Sequence, residues 1–355
     1  VRVIRYGIIG TGMMGCEHIR NIAALDDAIV TAVADPHEES LRWARRACGE
    51  TADAVDVYAD SREMLEKAAL DAVVVASPNH THAEVMDAIF DGDKHVLLEK
   101  PMCTTLEDCR RVTAGAERHA GVVQVGLEYR YMPPIAHFLA ELPCVGEVKT
   151  LFIREHRHPF LPKVGDWNRF TRNTGGTLVE KCCHFFDLMN LIMPSKPSRV
   201  LASGGQDVNH LEERYAGEVP DILDNAFVIV EYEGGGRACL DLCMFAESSR
   251  NEQEIVATGT RGKLDVVLPS GQMFRGAREY RKWTELPPVR DARIAHEGFH
   301  HGASYVEHLL FLEAIRCGGT PEVTVQDGLL SVALGVAAHR SIDEGRAVDL
   351  AEFGL

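Results

Sequence analysis

The hydrophobic pattern changes character about a third of the way along the chain. Before residue 128, short unbroken apolar runs alternate with segments whose apolar residues recur at helical spacing. The runs "VIRYGII" (3–9), "AIVTAVAD" (28–35), "DAVVVAS" (71–77), "HVLLEK" (95–100) and "VVQVGLEYR" (122–130) read as strands. Between them, "CEHIRNIAAL", "SREMLEKAAL", "AEVMDAIFDG" and "LEDCRRVTAGAERHA" read as helices. Ser61 is the expected N-cap of the second, and Gly92 and Gly121 are expected to close the third and fourth. Strand–helix alternation of this kind predicts a parallel sheet with helices on both faces.

From residue 128 strands dominate. "EVKTLFIREHR", "PSRVLASGG", "NAFVIVEYE", "RACLDLCMF", "QEIVATG" and "GKLDVVL" follow one another, with hairpins expected at Gly234–Gly236 and at Arg261–Gly262. One helix is predicted over 177–193, opened by Gly175-Gly176 and stopped by Pro194, and two more end the chain. The pattern therefore predicts an α/β protein: a Rossmann-type parallel sheet over 1–127, and over 128–355 an α+β domain on a large, mostly antiparallel open sheet. In that sheet Phe227 and Ile229 alternate with Val228 and Val230, so both faces carry apolar side chains. One face can pack on the domain's own helices. The other predicts burial against a second copy, in a homodimer or homotetramer.

Composition narrows the partners. The 355 residues include 37 basic and 53 acidic side chains, a formal charge of −16. Such a surface repels nucleic acid and anionic membrane. Nowhere do about 18 apolar residues run uninterrupted, so no membrane span is expected, and the N-terminus carries no signal-peptide pattern. The ten cysteines form no C-x-x-C pair. They read as reduced, mostly buried thiols of a cytoplasmic protein.

The first strand runs into "GTGMMG", Gly10 to Gly15, and then into a helix. In that setting Gly10 permits a tight turn, Gly12 lets backbone N–H groups approach a pyrophosphate, and Gly15 lets the helix pack closely. Asp35 ends the second strand, 25 residues beyond Gly10. A carboxylate there accepts bonds from both ribose hydroxyls and repels a 2′-phosphate, and no arginine follows Pro36, His37 and Glu38. The pattern predicts NAD rather than NADP. Ligands in such sheets bind beyond the carboxyl ends of the strands, where Pro78-Asn79-His80 and Glu99-Lys100-Pro101 lie. Cofactor contacts are expected from Gly10, Thr11, Gly12, Met13, Met14, Gly15, Asp35, Pro36, Ser77, Pro78, Asn79, His82, Glu99 and Lys100.

On the 177–193 helix, Glu180, His184 and Asp187 fall at i, i+4 and i+7 among apolar neighbours. The stripe is either polar decoration or one wall of an enclosed site. A metal site drawing on "EKCCH" and "EHRH" is disfavoured, because adjacent Cys182 and Cys183 point about 100° apart on a helix. The 296–301 histidines line a pocket or a loop surface.

These residues together resemble a known family. "GIIGTGMMG", "SPNHTH", "EKP", "GGTLVEKCCHFFDL" and the C-terminal "Y…FLEAI…G…DGLLSVALGVAAHRS" are similar to the glucose–fructose oxidoreductase / inositol dehydrogenase / rhizopine-catabolism (Gfo/Idh/MocA) family, over nearly the whole chain. The resemblance implies oxidation of a secondary hydroxyl of a sugar, glycoside or cyclitol by hydride transfer to NAD. It makes Lys100 the active-site lysine and His184 the acid/base. Glu180 stands where members commonly carry aspartate, and orients the imidazole or binds a substrate hydroxyl. The Lys100–Pro101 bond is expected to be cis. Further substrate contacts are expected from Arg130, His156, Trp167, Arg169, Arg172 and His301. Two other readings stand beside the dehydrogenase: an NAD-recycling enzyme that cleaves a glycoside through transient oxidation, and a non-catalytic NAD-binding sensor.

Overall fold

The structure, a computed structural model, describes residues 2–355. The first part runs β1 (Ile4–Ile9), α1 (Met13–Ala23), β2 (Ala28–Ala34), α2 (Glu38–Cys48), β3 (Asp56–Tyr58), α3 (Ser61–Lys67), β4 (Ala72–Val75), α4 (His82–Phe90), β5 (His95–Glu99), α5 (Leu106–Ala116) and β6 (Val123–Gly126). The six strands pair in the order β3-β2-β1-β4-β5-β6, all parallel. The order reverses between β1 and β4, which is where doubly wound sheets open a crevice at their carboxyl ends.

The chain continues through α6 (Pro133–Glu141), β7 (Val148–His156), α7 (Thr171–Thr174), α8 (Thr177–Glu180), α9 (Cys183–Ile192), β8 (Pro197–Gly205), β9 (Asn225–Tyr232), β10 (Arg237–Cys243), β11 (Gln253–Gly259), β12 (Gly262–Leu268), β13 (Gln272–Ala277), β14 (Trp283–Leu286), α10 (Ala303–Cys317), α11 (Val325–Glu344) and β15 (Val348–Asp349). The nine strands pair in the order β14-β13-β12-β11-β7-β10-β9-β8-β15. All contacts are antiparallel except β7 with β10. Val228 and Val230 are buried, while Phe227 and Ile229 on the opposite face are exposed.

Several elements differ from the sequence expectation. The 177–193 helix is broken into α8 and α9 by a turn at residues 181–182. At the break the Cys183 thiol donates to the Glu180 carbonyl at 3.5 Å, an acceptor that a continuous helix offers to the His184 N–H. Asp60, not Ser61, caps α3: its carboxylate accepts the Glu63 N–H at 3.0 Å. The strand predicted over 122–130 stops at Gly126, and residues 128–131 coil into a 3₁₀ turn. The helix expected to run to Gly121 ends at Ala116, and α2, α6, α7, β3, β13, β14 and β15 were not expected.

The compact units also depart from a single division at 127/128. One comprises residues 1–131, 163–167 and 292–332, and the other residues 132–162, 168–291 and 333–355. The physical reason is α10. Its Tyr305, Phe311 and Leu312 are buried in one cluster with Tyr6, Ile8, Ile19, Ile22 and Leu97 of the parallel-sheet unit. Among the described residues no helix is long and apolar enough to cross a membrane, and the ten cysteines form no disulfide.

Phe311 is fully buried in that cluster. Replacing it with alanine is expected to cost about 3–5 kcal/mol, the usual range for a buried aromatic, read as a lower urea midpoint with an unchanged slope.

Candidate active site

The glycine turn is shaped for a ligand it does not itself fill. Gly10 has φ +85°, and a Cβ on it would sit 2.5 Å from the Ser77 backbone, so β1 and β4 close up at the switch point. A Cβ on Gly15 would lie 2.0 Å from the Gly10 carbonyl oxygen. Gly12 is different: a Cβ there would meet nothing within 4 Å. Gly12 is also the N-cap of α1, which has no side-chain cap and no acidic residue in its first turn. Open space before an uncapped, uncompensated helix N-terminus suits a pyrophosphate. Thr11 is buried, Met13 is exposed and Met14 is half-buried.

Asp35 follows β2 and is 7% exposed. Its Oδ2 accepts the Thr11 N–H at 2.8 Å and its Oδ1 accepts the His37 N–H at 2.8 Å. These bonds fix the carboxylate beside the glycine turn. Oδ2 also accepts the Thr11 hydroxyl at 3.3 Å, so Oδ1 is the oxygen that retains a lone pair for a ribose hydroxyl. Pro36 is exposed beside it. The residues present therefore fit a dinucleotide with an unphosphorylated ribose.

Ser77, Pro78 and Asn79 follow β4. His82 opens α4 and is buried, with Nε2 3.0 Å from the Ser77 carbonyl and Nδ1 3.0 Å from the Pro101 carbonyl. It ties the end of β4 to the turn after β5. Burial lowers its pKa, against the pull of those carbonyls and of Glu99. Lys100 is half-buried and the Lys100–Pro101 peptide is cis. Glu99 is 6% exposed, and its Oε2 accepts the Lys100 backbone N–H at 3.0 Å. Burial alone would raise the Glu99 carboxyl. The His18 hydrogen bond, with the Lys100 ammonium and backbone N–H, outweighs it and holds the group below the usual carboxylate range. Trp167 belongs to the same unit, with Lys163 Nζ 5.6 Å from its ring centroid and the His80 ring at 6.3 Å.

Other expected substrate contacts are engaged within their own units. Arg130 is buried, bonded to the Glu322 carbonyl at 3.3 Å and paired with Asp327 at 3.2 Å. His301 is exposed, with φ +55°. In the sheet unit, His156 ends β7 and meets Asp241 at 3.0 Å. Arg169 is buried and bonded to Glu213 at 3.1 Å. Arg172 is exposed, pairs with Glu218 and lies over the Phe170 ring.

Glu180, His184 and Asp187 are all buried, at 6%, 2% and 2% exposure, so the stripe is not surface decoration. Beside it Lys181, absent from the sequence reading, makes a buried ion pair with Glu155 at 2.9 Å. Its signal was a lysine inside an apolar helix, a residue almost never buried unless paired. His18, equally overlooked, interrupts the apolar face of α1.

Fold and glycine turn define an NAD-binding Rossmann oxidoreductase, and the comparisons with known proteins agree. Residues 4–127 match the model of the oxidoreductase family with an NAD-binding Rossmann fold, and residues 144–350 match the C-terminal alpha/beta domain of that family. The chain belongs to the Gfo/Idh/MocA oxidoreductase family. It is similar to myo-inositol 2-dehydrogenase of Thermotoga maritima, 29% identical over 98% of this chain and 99% of that protein. Inositol 2-dehydrogenase 1 of Saccharopolyspora erythraea is 37% identical over 77% of this chain and 76% of its own. Among solved structures, a probable dehydrogenase from Thermotoga maritima superposes with a TM-score of 0.77 at 25% identity, covering 98% of this chain and 99% of its own.

A carboxylate at Asp35 opposes the 2′-phosphate of NADP. NAD is expected to be preferred by at least about tenfold in kcat/KM, since one misplaced charge pair is worth roughly 1–2 kcal/mol. Asp35→Ser is expected to narrow the gap. Steady-state kinetics with both cofactors check this, and equal kcat/KM in the parent protein would contradict it.

Proposed function

We propose that the chain oxidises a ring hydroxyl of an inositol-like cyclitol, or of a sugar of similar shape, using NAD. The observation that carries this reading is Lys100, a lysine at the carboxyl end of a parallel strand, anchored by a backbone bond to a buried carboxylate. The inositol dehydrogenases among its relatives support the substrate class.

NAD would be held by the Gly10–Gly15 turn, by Asp35 and Pro36 at the adenosine ribose, and by Ser77, Pro78, Asn79, Glu99 and Lys100 toward its other end. When bound, it supplies a nicotinamide that takes the hydride from the carbinol carbon. The protein's own residues handle the oxygen and its proton. The Lys100 ammonium donates a hydrogen bond to the substrate oxygen and stabilises the negative charge that grows as the O–H bond breaks. The His184 imidazole takes that proton. Glu180, four residues earlier, orients the imidazole or accepts a bond from a second hydroxyl. Trp167, His156, Arg130, Arg169, Arg172 and His301 remain the candidates for holding the rest of the ring.

The assembly is proposed on the same footing. Leu201 and Ile229 are directly opposite one another across β8 and β9, and Phe227 lies on the same exposed face at 61% exposure. A row of this kind is suited to burial against a second copy, as a homodimer or homotetramer.

Four measurements test the reading. With myo-inositol and NAD, the enzyme is expected to release NADH stoichiometrically, and no turnover across a panel of inositols and pyranoses would sink the proposal. Lys100→Ala is expected to lower kcat on the order of 10²–10³-fold, the scale of one lost electrostatic stabiliser, while NAD still binds. His184→Ala is expected to cost about 10²–10⁴-fold and to remove the ionisation near neutrality from the pH–rate profile. Light scattering is expected to report a dimer or tetramer that Phe227→Glu dissociates. A monomeric parent protein at micromolar concentration would rule out the assembly.

A further inference from the structure

Behind the Glu99 carboxylate stands a second layer of buried polar groups that the proposed reaction does not use. Oε1 of Glu99 lies 2.9 Å from Nε2 of His18, in α1. Nδ1 of His18 lies 2.9 Å from Nε2 of His308, in α10. Both rings are fully buried and meet edge to face, with centroids 5.1 Å apart. The row therefore runs His308, His18, Glu99, Lys100, across three elements of one unit.

Counting donors and acceptors fixes the protons. An ionised Glu99 only accepts, so His18 Nε2 must carry hydrogen. A neutral His18 then presents a bare Nδ1, which needs a donor, so the proton of His308 sits on Nε2. That leaves His308 Nδ1 bare, and this nitrogen is indeed buried with no partner. The assignment orphans no buried N–H, whereas a doubly protonated His18 would force the His308 proton onto the partnerless nitrogen.

The surrounding groups are compatible with this. Burial lowers the His308 pKa well below its ordinary value. Burial, with repulsion from Glu128 and Glu99, raises the Glu307 carboxyl well above its ordinary value. Glu128 is occupied by Ser304 Oγ and faces His300 Nδ1 at 2.8 Å. The Tyr6 ring closes the cluster from β1, 5.8 Å from His308.

We propose that His18, oriented by His308, is the positioning residue for Lys100: its Nε2–H fixes the Glu99 carboxylate, whose other oxygen accepts the Lys100 backbone N–H and so holds the lysine in place at the end of β5. The proposal rests on the reading of Lys100 as the catalytic lysine. Without the His18 donor, burial drives Glu99 toward the neutral acid and the ammonium loses its counter-ion.

The test compares His18→Leu, His18→Gln and Lys100→Ala for turnover of myo-inositol, NAD binding and thermal stability. His18→Leu removes the donor. His18→Gln returns an amide N–H near the Nε2 position. His18→Leu is expected to lower kcat about 10–100-fold, the scale on which partners one layer out from a reactive group act. NAD affinity should be unchanged, so that the loss falls on kcat rather than on cofactor binding. His18→Gln is expected to recover most of the rate. Wild-type kcat in His18→Leu would overturn the positioning role. So would a loss of rate that merely tracks lost stability and lost NAD binding, with no recovery in His18→Gln. If Lys100→Ala turns over at the parent rate, the reading of the lysine falls and this role falls with it. If Lys100→Ala fails and His18→Leu does not, only the positioning role falls. Nitrogen NMR of the imidazoles in the unaltered protein, at about pH 8 where an ordinary histidine is neutral, is independent of activity and of variant folding. It should show His308 protonated on Nε2. A proton on His308 Nδ1, or two on His18, would overturn the arrangement.

Discussion

A negative charge sits at the end of β5 in a place water barely reaches. Removing a carboxylate from water costs several kcal/mol even after relaxation, so Glu99 must be compensated where it stands. Two donors, the Lys100 backbone N–H and His18, do this together with the charge of the Lys100 ammonium. Each constrains a different part of the first unit. The backbone bond turns the chain as β5 ends, so that Lys100 leaves the sheet at its carboxyl edge. The His18 bond fixes the rotation of α1, whose N-terminus is the uncapped end at the glycine turn. His308 then requires α10 to return to this core although it lies far along the chain. Electrostatic compensation of one residue thus joins cofactor turn, lysine and C-terminal helix into a single unit.

The sheet unit meets a similar problem differently. Glu155 on β7 is 1% exposed and is met by Lys181, itself 5% exposed, from the turn between α8 and α9. That turn is the break in the expected helix. Ideal helical continuity would leave residue 181 fixed by its neighbours alone; the turn gives the segment a geometry set by the buried pair and by the Cys183–Glu180 bond. Removing Lys181 leaves the Glu155 charge buried and uncompensated and is strongly destabilising. Rigid placement of Glu180 and His184, on either side of the turn, follows from the same contacts.

The cofactor turn shows how closely residue type and space correspond. Gly10 and Gly15 are glycines because backbone occupies the place of a side chain, whereas Gly12 is a glycine beside open space. The three positions look alike in the motif, and only the surroundings separate packing from ligand approach. Asp35 belongs with them, since the Thr11 N–H holds its carboxylate at the turn.

By itself the sequence determined the two-part architecture, most strands and long helices, the glycine turn, Asp35 and the Lys100 and His184 candidates. Such features are local: an apolar period, a glycine spacing or a short motif is written within a few residues. The tertiary structure alone decided that α10 belongs to the parallel-sheet unit, that the 177–193 helix breaks, and that His18 and His308 meet across 290 residues. A histidine in an apolar helix reads the same whether it is exposed, capped or bonded. Its partner is chosen by which helices pack together, and that choice rests on the summed burial of many side chains, of which no short window of sequence carries more than a part.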